Sequence, residues 1–102
     1  EMIKSEILVN PEFLDIKEGD IIALDNGKLV FSSKDVVKAA IKLTSSMAKH
    51  HTEFITLIYG DGINEDQAEE VRKSIQHKVG SHVDITVIEG KQPIYHFIIS
   101  VE

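Results

Sequence analysis

The groups with the best claim to chemistry gather around Gly60-Asp61-Gly62, between an apolar run and an acidic segment. A glycine turn ahead of a helix invites a phosphate reading, because the uncovered amino end of a helix attracts anions. Here Asp61, Glu65 and Asp66 already place negative charge at that end, and no GxxxxGK[ST] pattern is present. The expectation is therefore tight-turn glycines with helix-capping acids. Asp61 and Glu65 offer the oxygen ligands magnesium prefers, but nothing in their spacing favours a site. The five histidines form no ligand set. His50 and His51 are adjacent at a helix end, where neighbours do not face each other. His77 falls on a helix surface, and His82 precedes a strand. His96 alternates onto the less apolar face of the last strand. As a general base it needs a nucleophile or an oriented acid, and Ser100, two residues along the same face, does not make a triad. The run Glu65 to Glu70 reads as a solvated helix start; its functional reading is an acidic patch for a basic partner. Tyr59 and Tyr95 flank the same edge. Core packing with a wet hydroxyl is the commoner use of tyrosine in such a place, and interface anchoring the rarer one.

Composition narrows the classes further. The 102 residues carry 17 acidic and 11 basic side chains, a formal charge of −6, and 42% are hydrophobic. That describes one small globular domain and excludes a disordered tail. The absence of cysteine excludes a disulfide scaffold and thiolate zinc sites, and it fits a cytoplasmic protein. The acidic balance argues against nucleic acid or an anionic membrane as a main partner. No apolar run approaches the ~20 residues of a membrane span, and no signal peptide opens the sequence. Opening on Glu1, the sequence reads as a piece of a longer chain.

The elements that must position these groups follow from periodicity. Residues 1–18 are a lead-in or the end of a preceding subdomain; Ile3, Ile7 and Leu8 suit a helix turn, and Ile7-Leu8-Val9 suits a short strand equally. Residues 19–102 read as one α/β domain. Asn26-Gly27 marks a hairpin turn between strands near 20–25 and 28–31, since both residues tolerate positive φ. Ser32, Ser33 and Asp35 announce a helix over about 33–48, with Val36, Ala40, Leu43 and Met47 as its stripe. Phe54 to Tyr59 is almost wholly apolar, as suits a central strand covered on both faces. Asn64 and Gln67 form a capping-box pattern for a helix over 64–79, in which Glu69 and Lys73 make an i,i+4 pair. Val83, Ile85 and Val87 alternate, as do Tyr95, Phe97, Ile99 and Val101. The short connection from Glu89 to Pro93 suggests that these last two strands are antiparallel neighbours. The expected order is β-β-α-β-α-β-β in a mixed sheet carrying two helices, α/β in class with α+β as the alternative. Strand direction then brings Gly60-Asp61-Gly62, Glu89-Gly90 and the Gln92–Tyr95 segment to one carboxyl edge, where open α/β sheets hold ligands. Ser32 and Ser33 join that edge if their strand is parallel to 54–59. His50, His51, Ser81, His82 and Glu102 belong toward the other end.

The tail from Gly90 to Glu102 (GKQPIYHFIISVE) is the most distinctive stretch. It resembles the closing motif of the dihydroxyacetone-kinase-like ATP-binding subunit of bacterial fatty acid kinase, which typically ends in Gly-Gly-Gln-Pro-x-Tyr, an apolar strand and Ile-Ser-Val-Glu. Phe54 to Gly60 with its acidic helix, and Gly19 to Leu24 with the Gly27 turn, fit the same region. The resemblance covers about residues 19–102. Lys91 replaces the second glycine of the usual pair, which argues against a strict need for glycine there.

This resemblance implies a DegV-like carboxyl-terminal subdomain of a cytoplasmic modular parent. ATP and magnesium would bind the parent's amino-terminal domain, and no cofactor would bind this piece. The implied partner is a separate fatty-acid-binding protein of DegV-type fold, docked so that its fatty acid is phosphorylated to an acyl phosphate for phospholipid synthesis. On this reading Tyr59, Asp61, Lys91, Gln92 and Tyr95 contact the partner. Two alternatives stay open. One is a small hydrolase or transferase using Asp61 and His96. The other is a structural or homodimerising module that extends its sheet along an exposed edge such as strand 28–31.

Overall fold

The computed structural model describes residues 3–9, 21–25, 27–93 and 95–102. Its elements run β1 (Ile3–Val9), β2 (Ile21–Asp25), β3 (Lys28–Ser33), α1 (Val36–Met47), β4 (Phe54–Tyr59), α2 (Glu65–Val79), β5 (Asp84–Glu89) and β6 (Tyr95–Val101). The strands form one mixed sheet in the order β3-β2-β1-β6-β4-β5, with β4 and β5 parallel and every other neighbouring pair antiparallel. The architecture is α/β with two helices on the sheet, as the sequence pattern implies. The segment left open between helix and strand is an interior strand: β1 pairs with β2 on one side and β6 on the other.

Local chemistry explains each element. In the hairpin, Asp25 pairs with Lys28, which leaves a two-residue connection, and Gly27 takes φ 84°. Gly19, Asp20 and Asn26, on which the sequence pattern also draws, lie outside the described residues. Asp35 caps α1 by accepting the Lys38 N–H at 3.0 Å. Asn64 caps α2 reciprocally, accepting from Gln67 N–H (2.8 Å) while the Gln67 side chain accepts from Asn64 N–H (3.0 Å). Such a cap contributes about 1 kcal/mol. Glu65 and Asp66 open α2, and His77 and Lys78 close it, in keeping with the helix dipole.

Both helices cover the same face of the sheet. Val37, Ala40, Leu43 and Met47 from α1 and Ala68, Val71 and Ile75 from α2 pack on Ile55, Leu57, Phe97, Ile99 and Val101. Burying each of the larger side chains contributes roughly 1.5–3 kcal/mol. The Thr44 hydroxyl, buried in this core, is satisfied by the Ala40 carbonyl at 2.8 Å.

Four expectations change. The apolar run of β4 is covered on one face only: Ile55 and Leu57 are buried, but Phe54 remains 48% exposed, and Ile88 on neighbouring β5 44%. The apolar character of β4 reflects its interior place between β5 and β6, not two helical layers. The last two strands are not neighbours, because β6 inserts between β1 and β4. A strand spacing of ~4.8 Å puts a skipped neighbour only ~10 Å away, which the short 90–94 connection spans easily. Glu69 pairs with Arg72 rather than Lys73, through bonds of 2.9 and 2.5 Å to the guanidinium, whose planar fork fits a carboxylate better than an ammonium does. This bond lowers the Glu69 carboxyl below its usual range. Finally, α1 ends at Met47, so His50 and His51 lie in the following turn, where their rings meet edge to face at 5.4 Å.

Candidate functional site

The site begins with a backbone crossing. To pass from β5 to β6, the chain arches over the carboxyl end of β4, and Gly60 lies directly beneath it. The Gly60 N–H donates to the His96 carbonyl (2.8 Å), the Asp61 N–H to the Gln92 carbonyl (3.0 Å), and the Gly90 N–H to the Tyr59 carbonyl (2.9 Å). A β-carbon on Gly60 would stand 2.8 Å from the Gln92 carbonyl oxygen and closer still to that of Tyr95. Both obstacles are backbone, so only glycine permits this approach. In the sequence Gly60 reads as a strand stop, and this role stays hidden. Its one signal is an apolar strand ending in glycine opposite a glycine-containing return segment.

The Gln92 side chain locks the arch from inside. Its Nε2 donates to the Ile58 carbonyl (3.1 Å) and to the Tyr95 carbonyl (3.2 Å). The Tyr95 N–H donates to the Pro93 carbonyl at 2.7 Å, tightening the final bend. Lys91 takes φ 58°, the left-handed region that favours glycine. Lysine thus occupies this position against its conformational preference.

The five residues named as partner contacts all lie at this edge. Asp61 and Lys91 are exposed, Gln92 and Tyr95 half-buried, and Tyr59 is 9% exposed. Tyr59 therefore belongs to the core, the commoner of its two uses. Burial, with Glu89 and Glu65 adding to it, pushes its phenol above the ordinary range. Ser32 and Ser33 end a strand that runs in the same direction as β4, but four strands away, or roughly 19 Å. They do not join the cluster.

His96 is the extra residue of a bulge, since Ile7 pairs with Phe97 and Leu8 with Tyr95. Bulges re-aim side chains, and here the imidazole lies against Gly62, where a β-carbon would stand 3.2 Å from Cε1 and Nδ1. Burial lowers its pKa below the ordinary histidine value, which favours the neutral ring. Ser100 pairs along the sheet with Lys4 and Thr56. Among the described residues no three His, Asp or Glu residues are grouped to share a metal ion. Among those residues no helix is long and apolar enough to cross a membrane. What the edge offers is a braced surface with the exposed carboxylates of Asp61, Glu65 and Glu89, the Lys91 ammonium and the half-buried Tyr95. Such groups suit recognition.

Known proteins match this chain over most of its length. The family model for the C-terminal region of FakA-like fatty acid kinase proteins matches residues 10–102. Protein YloV of Bacillus subtilis is 32% identical over 88 residues, covering 86% of this chain and 16% of that protein. A Staphylococcus haemolyticus protein is 29% identical over 89 residues, and a Staphylococcus aureus protein 28% over 89, each covering 87% of this chain and 16% of the relative. The chain thus spans about one-sixth of the length of these relatives. With the match running through the hairpin, both helices and the arch, the chain belongs to the family of FakA-like fatty acid kinase C-terminal regions.

Proposed function

We propose that this chain is a non-catalytic docking module of the ATP-binding subunit of fatty acid kinase. It receives a separate fatty-acid-binding protein of DegV-type fold, so that a kinase domain elsewhere in the parent phosphorylates the fatty acid to an acyl phosphate for phospholipid synthesis. Family membership over residues 10–102 is the observation that carries this reading. In the same reading ATP and magnesium belong to the parent's amino-terminal domain, and the parent is cytoplasmic.

The physical argument is one of placement. Phosphoryl transfer depends mainly on positioning and electrostatic stabilisation, and a docking surface must hold its shape to position anything. The arch is braced by backbone bonds from Gly60, Asp61 and Gly90 and by both Gln92 amide contacts. Asp61, Lys91 and Tyr95 then present groups of different chemistry at fixed spacing. Tyr95 anchors the contact, and the two charges set orientation and association rate.

Titration of the chain with the fatty-acid-binding protein, followed by calorimetry and by deuterium exchange, tests this. Saturable binding with protection centred on residues 60–62 and 90–96 is expected. Tyr95→Ala should weaken it at least tenfold, chiefly through faster dissociation, while Lys91→Glu should alter the association rate and its salt dependence. Absence of binding at high micromolar concentration, with the chain folded, refutes the proposal.

One feature favours a second reading. β3 is an edge strand on which Leu29 and Val30 are 41% and 51% exposed, and an open edge can pair with another strand. Light scattering that shows a concentration-dependent dimer, abolished by Val30→Lys, would establish self-association.

A further inference from the structure

At the end of the molecule opposite the arch, the carboxyl ends of α1 and α2 enclose a half-open cleft of about 370 Å³. Lys49, His50, Lys78 and His82 line it together with Ser45, over an apolar floor that includes Val79. No carboxylate lines it; Glu53, Asp84 and Glu102, at the strand ends on this side of the molecule, stay outside. Basic groups near helix carboxyl ends ordinarily answer the helix dipole, but each such end carries only about half a negative charge. Two lysines therefore leave the cleft positive.

Ser45 supplies an independent observation. Its hydroxyl is the one buried side-chain oxygen or nitrogen among the described residues that has no hydrogen-bond partner. The neighbouring Thr44 and Ser46 hydroxyls both bond helix carbonyls, at 2.8 and 2.7 Å. A native orphan of this kind calls for an explanation, commonly a bound ion or water. The surroundings are also pre-shaped. Thr52 ties the turn carrying Lys49 and His50, accepting the Lys49 N–H at 2.9 Å and donating its own N–H to the Lys49 carbonyl at 3.0 Å. Gln76 fixes the other wall through the Gly80 and Val83 carbonyls, both at 2.8 Å.

We propose that this cleft binds a soluble phosphate monoester. A phosphate carries nearly two negative charges and three strong acceptor oxygens, which suits two ammonium groups and a hydroxyl donor. The cleft is larger than the phosphate itself, and Val79 receives the organic part of the ester. A phospholipid headgroup offers the same chemistry, but the formal charge of −6 opposes approach to an anionic bilayer.

The test is an amide NMR titration of the 102-residue chain with inorganic phosphate, phenyl phosphate and, at matched ionic strength, sodium chloride. Saturable shifts at Ser45, Lys49, Lys78 and His82 are expected with both phosphates and not with chloride, and phenyl phosphate should bind more tightly. Ser45→Ala keeps the helix, since alanine is the stronger helix former, and should weaken binding about fivefold, the equivalent of one hydrogen bond. Lys78→Gln, on an exposed position, should weaken it tenfold or more. Shifts reproduced by chloride, affinities unchanged in both variants, or binding only to phosphatidylglycerol vesicles would each overturn the proposal.

Discussion

Replacing Gly60 with alanine tests the crossing on which the carboxyl edge depends. The added methyl would press on the backbone carbonyls of Gln92 and Tyr95, so no side-chain rotation relieves it. The arch must lift, and the bonds from Gly60 N–H to His96 (2.8 Å) and from Asp61 N–H to Gln92 (3.0 Å) stretch or break. Two such bonds are worth about 1 kcal/mol each, and the overpacking adds roughly 1–3 kcal/mol. The expected loss is therefore about 3–5 kcal/mol, out of the ~5–15 kcal/mol typical of a native domain. At ~4–8 °C per kcal/mol for a chain of this size, the melting temperature should fall by at least ~12 °C. Urea unfolding followed by circular dichroism gives the free energy directly. Gly62→Ala is the control: its methyl meets only the His96 ring, at 3.2 Å, and a side chain can move aside, so the cost should stay below ~1 kcal/mol. If the two variants lose equal stability, or Gly60→Ala loses less than ~1 kcal/mol, the return segment does not pass over β4 and the site as assembled is wrong.

Other perturbations probe the same edge. Lys91→Gly should raise stability by about 0.5–1 kcal/mol, because the left-handed backbone costs lysine roughly 1–2 kcal/mol and glycine gives back part of that as chain entropy; an unchanged or lowered urea midpoint would contradict the left-handed assignment. Gln92→Glu removes both donated bonds and sets a carboxylate against the Ile58 and Tyr95 carbonyls, so it should cost about 2–3 kcal/mol and exceed Gln92→Ala in a side-by-side melt. The His96 pKa is lowered in the fold, so the unfolded chain binds the extra proton first as pH drops. Stability should therefore fall as pH drops through and below the ordinary histidine value, and His96→Gln should remove that part of the slope in urea titrations; an unaltered slope would show the imidazole to be solvated.

Much of the fold is legible because the decisive signals are local. Asn26-Gly27 specifies a hairpin whatever surrounds it, and Asn64 with Gln67 closes a capping box within four residues. The misplaced features are those that local sequence does not encode. Ile7-Leu8-Val9 is too short to separate helix from strand by period, and only pairing with β2 and β6 decides it. A short connection from β5 fits a hairpin and a one-strand skip equally well. The choice rests on which edge of β4 is still unpaired, and β5 already holds the other. An apolar strand likewise does not announce how many of its faces are covered: Phe54 and Leu57 are alike in composition, yet one is 48% exposed and the other wholly buried.

The candidate site is legible in outline for a different reason. Strand direction in the unit β4-α2-β5 forces the residues after both strands to one edge, so Asp61, Lys91, Gln92 and Tyr95 meet there without any knowledge of their contacts. Direction alone, however, brings groups to an edge without fixing them. Ser32 and Ser33 satisfy the same rule and stand four strands away. What turns an edge into a defined surface is the crossing of one backbone over another, and that crossing needs a residue with no side chain beneath it and an amide to fill the arch. Gly60 and Gln92 meet these needs through contacts to main-chain carbonyls, which carry no signature in the sequence. The chemistry-bearing residues are therefore the readable part of the site, and the two that hold them in place are not.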